Sequence, residues 1–148
     1  MSSYNQTLYH LIFRTKNSKK SLNQANIKSF CAYTHGIIKN LNCHLYRING
    51  VEDHVHMLTD LHPNIALANY IRTIKTSTSM WLKSCGCFPE FDGWGEGYAA
   101  LTYSWKEKDV IIEYIKNQQE HHRKCTYAEE VRKLLEEFGV TIDDRYFP

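Results

Sequence analysis

The chain has 148 residues, the size of one domain, and its hydrophobic content of 43% is sufficient for a packed core. With 18 basic and 16 acidic residues, its formal net charge is only +2, so the overall charge does not indicate a strongly charged partner. Its start has no signal-peptide pattern, and no apolar stretch approaches the roughly 20 residues of a membrane span. Together with five cysteines in no paired spacing, these features exclude a disordered or membrane-spanning class and predict a single cytoplasmic domain over residues 1–148.

Hydrophobic periodicity predicts six elements in the order β-α-β-β-α-β, followed by two further helices. In chain order we expect a strand at about 7–14, a helix at about 22–41, strands at about 43–48 and 54–61, a helix at about 65–83, a strand at about 98–103, and helices at about 107–123 and 127–138. This order is typical of the ferredoxin-like split βαβ fold, an α+β architecture with an antiparallel sheet. The sheet core would span about 5–104, the next helix 106–123, and the C-terminal helix and tail 126–148.

Local signals support several of these elements. Asn49-Gly50 is a strong hairpin signal and predicts a tight turn before the strand at about 54–61. Thr126, with Glu129 three residues later, predicts a capping box at the start of the last helix. The helix at about 65–83 has a core-facing stripe at i+3 and i+4 spacing, formed by Leu67, Ile71, Ile74, Thr78 and Trp81.

The strand at about 54–61 carries two histidines, His54 and His56, separated by one valine. Alternate side chains of a strand point to the same face, so both imidazoles can bind a single metal ion. The motif is short, and two ordinary strand histidines would produce the same pattern. On its own, the pair indicates a candidate metal site on a rigid element.

The helix at about 107–123 carries a second group of polar side chains. Tyr114, Gln118 and His121 are spaced i, i+4 and i+7, so a phenol, an amide oxygen and an imidazole lie on one face. An aromatic residue at helical spacing is also consistent with ordinary core packing. Glu113 and Glu120 point away from Tyr114, and we expect both at the surface.

Basic residues are clustered although the net charge is small. Arg14 and Lys16 follow the first strand, Arg72 and Lys75 lie along the second helix, and Arg123 closes the helix of Tyr114. Such clusters can follow a phosphate backbone and would make binding depend on salt. Each cluster taken alone is equally compatible with ordinary solvated surface charge.

These segments resemble the IS200/IS605-type transposases of the single-tyrosine class, including the relatives associated with repetitive extragenic palindromes, within the wider His-hydrophobic-His nuclease group. The similarity extends over about residues 4–147. It rests on five segments in the order of the family: the strand Leu8–Lys16, the run Gly50–Leu58, the helix Tyr70–Lys75, the strand Trp94–Tyr98 and the helix Tyr114–Arg123. The glycine-rich stretch 91–98 departs from the family, and we expect local mobility or altered DNA contacts there.

The resemblance implies that His54, His56 and Gln118 bind Mg²⁺ or Mn²⁺ and that Tyr114 is the nucleophile. Nitrogen ligands alone would favour zinc or a later transition metal, whereas a neutral amide oxygen and open coordination positions suit Mg²⁺ or Mn²⁺. Attack by the phenol on phosphorus would give a 5′-phosphotyrosine and a free 3′-hydroxyl, which can rejoin without ATP. His121 is a possible accessory group without an assigned role.

The resemblance also implies the partners. Family members act as homodimers on single-stranded DNA that folds into a hairpin at the element ends, and the tyrosine helix of one subunit can complete the metal site of the other. Neither a membrane nor a small-molecule cofactor is expected. Two alternatives stay open: a domesticated hairpin-binding protein that no longer transposes, and a metal-dependent phosphodiester hydrolase in which Tyr114 forms no covalent bond.

Overall fold

A computed structural model describes residues 3–145 and 147 of the chain. Its centre is a four-stranded antiparallel sheet in the order β2-β3-β1-β4. The strands are β1 (Tyr9–Arg14), β2 (Leu45–Gly50), β3 (His54–Thr59) and β4 (Ala99–Thr102). The helices are α1 (Ile27–Asn40), α2 (Leu67–Ser84), α3 (Lys108–Lys116), α4 (Gln118–Lys124) and α5 (Tyr127–Glu137). The predicted α+β, ferredoxin-like sheet with appended C-terminal helices is therefore confirmed.

Different helices cover the two faces of the sheet, because side chains alternate along each strand. Phe13 and Val55 point toward α1 and α2 and belong to the main hydrophobic core. Ile12 and Leu58 point the other way and pack against α5 and α3, respectively. Since β3 has covering helices on both faces, all six of its residues are buried.

Helices α2 and α5 begin and end close to the predicted positions, whereas α1 begins at Ile27, after the predicted start at about 22. In α2, the predicted stripe faces the core through Ile71, Ile74 and Thr78, which are buried. The predicted capping box of α5 is present, since Thr126 and Glu129 exchange side-chain and backbone hydrogen bonds. Within the described part of the chain, no helix combines the length and the apolar character needed to cross a bilayer.

The strands β1 and β3 are shorter than predicted at the end where Thr7 and Leu61 lie. The Thr7 hydroxyl accepts a hydrogen bond from the Leu61 backbone N–H at 3.0 Å. A side chain thus takes the place of a backbone partner, and the regular ladder ends at the pair Tyr9 and Thr59.

The hairpin between β2 and β3 turns later than the Asn49-Gly50 signal predicted. Asn49 pairs with His56 and Gly50 with Val55, so both residues belong to β2. The turn is formed by residues 51–53 and closed by the Val51 N–H, which donates to the His54 carbonyl at 3.0 Å. The predicted position was wrong because the Asn49 side chain is buried in a tertiary contact instead of serving a turn.

The segment Trp94–Tyr98 is not the strand that the family resemblance suggested. Only Trp94 forms an isolated bridge, to Thr15, and the regular strand begins at Ala99. Gly93 and Gly97 have φ angles of 136° and 80°, a left-handed region that interrupts a regular strand.

Candidate active site

The histidines of β3 lie on the sheet face that the C-terminal helices cover. Both His54 and His56 are 0% exposed, and their ring centroids are 5.0 Å apart. In the neighbouring strand β1, Arg14 is paired with His54 and Ile12 with His56. The prediction that the two imidazoles share one face is confirmed, and the pair lies in an interior strand.

Asp53 orients the first of these rings. Its Oδ1 lies 2.7 Å from His54 Nδ1, so a protonated Nδ1 donates to the carboxylate and Nε2 points into the site. Burial opposes a charge on His54, but the carboxylates of Asp53 and Glu130 raise the pKa of the ring above its usual value. A metal ion at Nε2 would therefore compete with a proton in acidic solution.

His10 of β1 contacts the second ring. His10 Nε2 lies 2.8 Å from His56 Nδ1, with one nitrogen donating to the other. Burial lowers the pKa of both rings, so both favour the neutral form that binds metals. When His56 donates through Nδ1, its Nε2 is free for a metal ion.

A carboxylate from α5 lies against both histidines. Glu130 is 3% exposed, and its Oε1 lies 3.1 Å from His56 Nε2 and 3.3 Å from His54 Nε2. One ligand atom from each of these three residues lies within 4.8 Å of the others. This buried His54-His56-Glu130 group could bind a divalent metal ion.

The three predicted residues of the tyrosine-bearing segment meet at the other oxygen of Glu130. The Tyr114 hydroxyl donates to Oε2, and Gln118 Nε2 donates to the same atom at 3.0 Å. His121 Nε2 lies 3.2 Å from it. The shared face predicted for Tyr114, Gln118 and His121 is confirmed, and it adjoins the histidine pair of the same chain.

Burial would raise the pKa of Glu130, but the adjacent rings of His54 and His56 and the hydrogen bond from Tyr114 hold it well below its usual range. Burial also raises the pKa of Tyr114, and the hydrogen bond to the Glu130 carboxylate raises it further. Tyr114 is therefore a neutral phenol in this arrangement, and it has to lose its proton before it can act as a strong nucleophile.

The tyrosine-bearing segment is not the single predicted helix of about 107–123. It contains α3 and α4 with a break at Asn117, whose φ of −94° and ψ of 19° end the first helix. The Asn49 amide of β2 donates to the carbonyls of Ile115 at 2.9 Å and Lys116 at 3.1 Å. Asn49 and Gln119 also exchange amide hydrogen bonds at 2.7 and 2.8 Å. A strand residue thus satisfies the carbonyls exposed by the break.

The Asn49→Asp substitution is expected to destabilise this junction, because a carboxylate cannot donate to the two carbonyls and repels them. We expect a loss of about 1–3 kcal/mol in the free energy of unfolding and faster hydrogen exchange in residues 108–124. Urea denaturation and exchange mass spectrometry would measure both effects. The control is Asn64→Asp at an exposed position. Equal stability of the two variants would contradict the assigned role of Asn49.

The donor set fits a divalent cation. His54 Nε2 lies 3.3 Å from Glu130 Oε1 without forming a hydrogen bond to it, and among the described residues neither this nitrogen nor the buried Gln118 Oε1 has a hydrogen-bond partner. Buried polar atoms without a partner are costly and call for an explanation such as a bound ion. With His56 Nε2 and Glu130, they supply two nitrogen and two oxygen ligands.

The basic residues predicted to bind DNA lie in different places. Arg14 ends β1 beside His54, and its guanidinium packs on Gly95, where a Cβ would lie 3.0 Å from Cζ. Lys75 donates to the carbonyls of Gly95 at 2.9 Å and Gly97 at 2.5 Å. The glycine-rich segment is therefore tied to the end of β1, and it leaves room for the Arg14 side chain.

The remaining three predicted basic residues are exposed. Lys16 follows β1 and donates its backbone N–H to the Gly93 carbonyl at 2.9 Å. Arg72 lies on α2, in the layer behind the sheet, and the structure does not bring it to the histidine pair. Arg123 lies on α4 and forms an ion pair with Glu120 at 2.9 Å. Glu113 and Glu120 are exposed, as predicted.

The sequence patterns did not predict a role in the site for Glu130, Asp53 or His10. A signal for Glu130 was present, because Tyr127, Glu130 and Val131 are spaced i, i+3 and i+4 and all three are buried. A glutamate on the apolar face of a helix needs a partner, and it is therefore a candidate ligand.

The fold and the site together define an α+β protein in which a tyrosine adjoins a buried His-His-Glu group on an antiparallel sheet. The family model described as "Transposase IS200 like" matches residues 3–118. The chain therefore belongs to the IS200-like transposase family, as the resemblance indicated. No functionally curated protein matches it.

Solved structures share the fold. A protein described as a transposase from Deinococcus radiodurans is 23% identical with a TM-score of 0.62, over 80% of this chain and 95% of that chain. A REP-associated tyrosine transposase, bound to a REP hairpin, is 14% identical with a TM-score of 0.56, over 82% of this chain and 74% of that chain. At these identities, the similarity supports the architecture alone.

Proposed function

We propose that this transposase cleaves and rejoins single-stranded DNA at hairpin-bearing element ends through a covalent bond to Tyr114. The observation that carries the proposal is the convergence of Tyr114 and Gln118 on the buried His54-His56-Glu130 group. A nucleophile next to ligands for a divalent cation is an arrangement that can transfer a phosphoryl group to a tyrosine. Membership of the transposase family supports the same reaction.

Mg²⁺ or Mn²⁺ is the proposed ion, held by His54, His56 and Gln118, with Glu130 as an additional anionic ligand. When bound, such an ion would polarise the scissile phosphate and offset the negative charge that develops on its oxygens. Glu130 adds to the predicted ligand set, and its carboxylate strengthens the preference for a cation that accepts oxygen ligands. His121, which also contacts Glu130, remains a possible accessory group.

Tyr114 supplies the attacking oxygen. A bond forms between its phenolic oxygen and phosphorus, the bond from phosphorus to the 3′ oxygen breaks, and that oxygen leaves as a protonated 3′-hydroxyl. The protein then carries the 5′ end of the downstream fragment as a phosphotyrosine. Attack by a 3′-hydroxyl on this bond restores the phenol and joins two strands.

DNA would reach the site past the end of β1. Arg14 is half-buried beside His54, and among the described residues no carboxylate lies within 4 Å of its guanidinium. A cation in this position can bind a phosphate close to the scissile bond. We assign the same role, at greater distance, to Lys16, Lys75 and Arg123, and we propose no role for Arg72 near the reacting phosphate.

We further propose that the protein acts in the cytoplasm as a homodimer. A single chain brings Tyr114 and Gln118 to its own histidine pair, so a dimer does not need an exchanged helix to complete either site. The hairpin complex of the REP-associated neighbour supports a hairpin as the substrate.

The reaction can be tested with hairpin oligonucleotides from the flanks of the gene, carrying a label at either end, in Mg²⁺ or Mn²⁺. A 5′-phosphotyrosine predicts that the 3′-end label remains with the protein on a denaturing gel, whereas the 5′-end label is released. Cleavage without an adduct would instead favour the metal-dependent hydrolase. Hairpin binding without cleavage would favour the domesticated binding protein.

The Glu130→Gln substitution is expected to weaken Mn²⁺ binding at least about tenfold, because ligand charge sets the affinity of oxygen-rich sites. Electron paramagnetic resonance of free Mn²⁺ measures the affinity without DNA. Glu136→Gln, at an exposed position of the same helix, is the matched control. If both variants bind Mn²⁺ like the parent protein, Glu130 is not a ligand.

A further inference from the structure

A second basic surface lies along the edge of the sheet, where the predicted DNA contacts do not reach. Strand β2 forms one edge of the sheet, and a groove of about 490 Å³ runs between it, α1 and the α3–α4 junction. We call it the β2 groove. Its polar lining consists of Lys28, His35, Arg47, Asn49, Lys116 and Gln119.

The charge of the β2 groove is of one sign. Lys28, Arg47 and Lys116 are exposed in three different elements, and none of the described residues that line the groove is Asp or Glu. Within the described chain, no carboxylate lies within 4 Å of any of the three cations, whereas Lys19, Lys20 and four other basic residues, His excluded, have such a partner. In a chain with a net charge of +2, this concentration of unpaired cations indicates an anionic ligand.

The lining also distinguishes between kinds of nucleic acid. Single strands are bound by stacking of bases on exposed aromatic rings, in addition to phosphate contacts. Tyr46 and His35 carry the aromatic rings among the described lining residues. The Tyr46 ring already packs edge-on against His44 and Trp105. A groove with three cations and only one exposed ring among its described lining residues, the small imidazole of His35, fits the sugar-phosphate backbone of a duplex better than the stacked bases of a single strand.

The β2 groove ends beside the candidate active site. Asn49 and Gln119, which line its end, hold the break between α3 and α4, and Asn49 is paired with His56 in the sheet. Lys116 follows Tyr114 by two residues on the same helix. A duplex bound here would therefore place its adjoining single strand near Tyr114.

We propose that the β2 groove binds the phosphate backbone of the duplex stem of the hairpin, mainly through Lys28, Arg47 and Lys116. This inference rests on the proposed function for the identity of the ligand, and it adds a binding surface that contains none of the proposed metal ligands. Because stem binding requires no cleavage, it can be measured independently of the reaction.

The test compares two triple variants with equal net charge. The groove variant carries Lys28→Gln, Arg47→Gln and Lys116→Gln, and the control carries Lys83→Gln, Lys106→Gln and Lys133→Gln, three exposed lysines outside the groove. Fluorescence anisotropy with an imperfect hairpin in EDTA gives the dissociation constant at several salt concentrations. A linear oligonucleotide of the same length is the second probe, and thermal melting shows whether each variant is folded.

We expect the groove variant to bind the hairpin at least tenfold more weakly, with the salt slope reduced by about 2 to 3 because each lost phosphate contact removes about 0.9. The control should retain both values, and binding of the linear oligonucleotide should change little. Equal weakening of the two folded triple variants, or an unchanged groove variant, would overturn the proposal. Equal loss of linear and hairpin binding would overturn the assignment to the stem. Absence of hairpin binding by the parent protein would instead refute the proposed function.

Discussion

Replacing Tyr114 with phenylalanine is expected to abolish the covalent protein–DNA adduct and to lower cleavage by more than about 1,000-fold, because the Tyr114 hydroxyl supplies the attacking oxygen. The fold should persist. The lost hydroxyl donates one hydrogen bond to Glu130, which retains its contacts with His54, His56 and Gln118, so the cost in stability is about 1 kcal/mol.

The matched control for this substitution is Tyr103→Phe. Tyr103 is half-buried, and its ring centroid lies 6.2 Å from that of His10, so it shares the surroundings of Tyr114 but does not contact Glu130. Adduct yield on a denaturing gel, together with hairpin affinity and melting temperature, separates loss of chemistry from loss of binding or folding. An adduct that forms normally with Tyr114→Phe, or disappears with Tyr103→Phe, would contradict the assignment.

Substituting either histidine of the pair is expected to lower Mn²⁺ affinity by more than about 100-fold. Removing a residue that only hydrogen-bonds a metal ligand typically lowers the affinity about 10–100-fold, and removing the ligand itself costs more. We expect the same variants, His54→Gln and His56→Gln, to lose the covalent adduct. Glutamine retains bulk in a site where both side chains are 0% exposed, which limits the packing defect.

His62→Gln is the control, since His62 lies outside the site and its Nδ1 accepts from the Asn64 backbone. Removal of metal with EDTA should reproduce the loss of the adduct in the parent protein, and Mn²⁺ should restore it. Melting temperature without metal tests folding. If the EDTA-treated protein forms the adduct at the parent rate, or if both variants bind Mn²⁺ normally, the His54-His56 pair is not the metal site.

The elements with strong local patterns could be predicted from the sequence. Alternation along β3 placed His54 and His56 on one face, and i, i+4, i+7 spacing placed Tyr114, Gln118 and His121 on another, because both periods are fixed by backbone geometry. These relations survived even though the helix is broken at Asn117. The break itself depends on Asn49, 66 residues away from Ile115, and no local pattern reports such a contact.

Contacts between residues far apart in the chain also explain why Glu130 and His10 were not predicted as part of the site. Glu130 reaches His54 and His56 only because α5 packs back across the sheet, a contact over 74 residues. His10 meets His56 through the register of β1 and β3, which depends on the whole sheet. Asn49-Gly50 misled the turn prediction because Asn49 is used in tertiary structure, which overrides a local preference.

The structure also distinguishes Arg14 from the other basic residues of its predicted cluster. Its place in a basic cluster could not distinguish it from Lys16, yet only Arg14 is paired with His54 in the sheet and packs on Gly95. The glycine-rich segment, expected to be mobile, is held by backbone hydrogen bonds to both residues, at 2.8 Å from Gly95 to Arg14 and 2.9 Å from Lys16 to Gly93.

The most direct measurement is peptide mapping of the covalent adduct by mass spectrometry after nuclease and protease digestion. The chain has ten tyrosines, and Tyr103 and Tyr127 lie near Tyr114 around the histidine pair, so the site of attachment is diagnostic. We predict a nucleotide joined through its 5′-phosphate to Tyr114 alone. Attachment to Tyr103 or Tyr127, or cleavage of the DNA with no modified peptide, would contradict it.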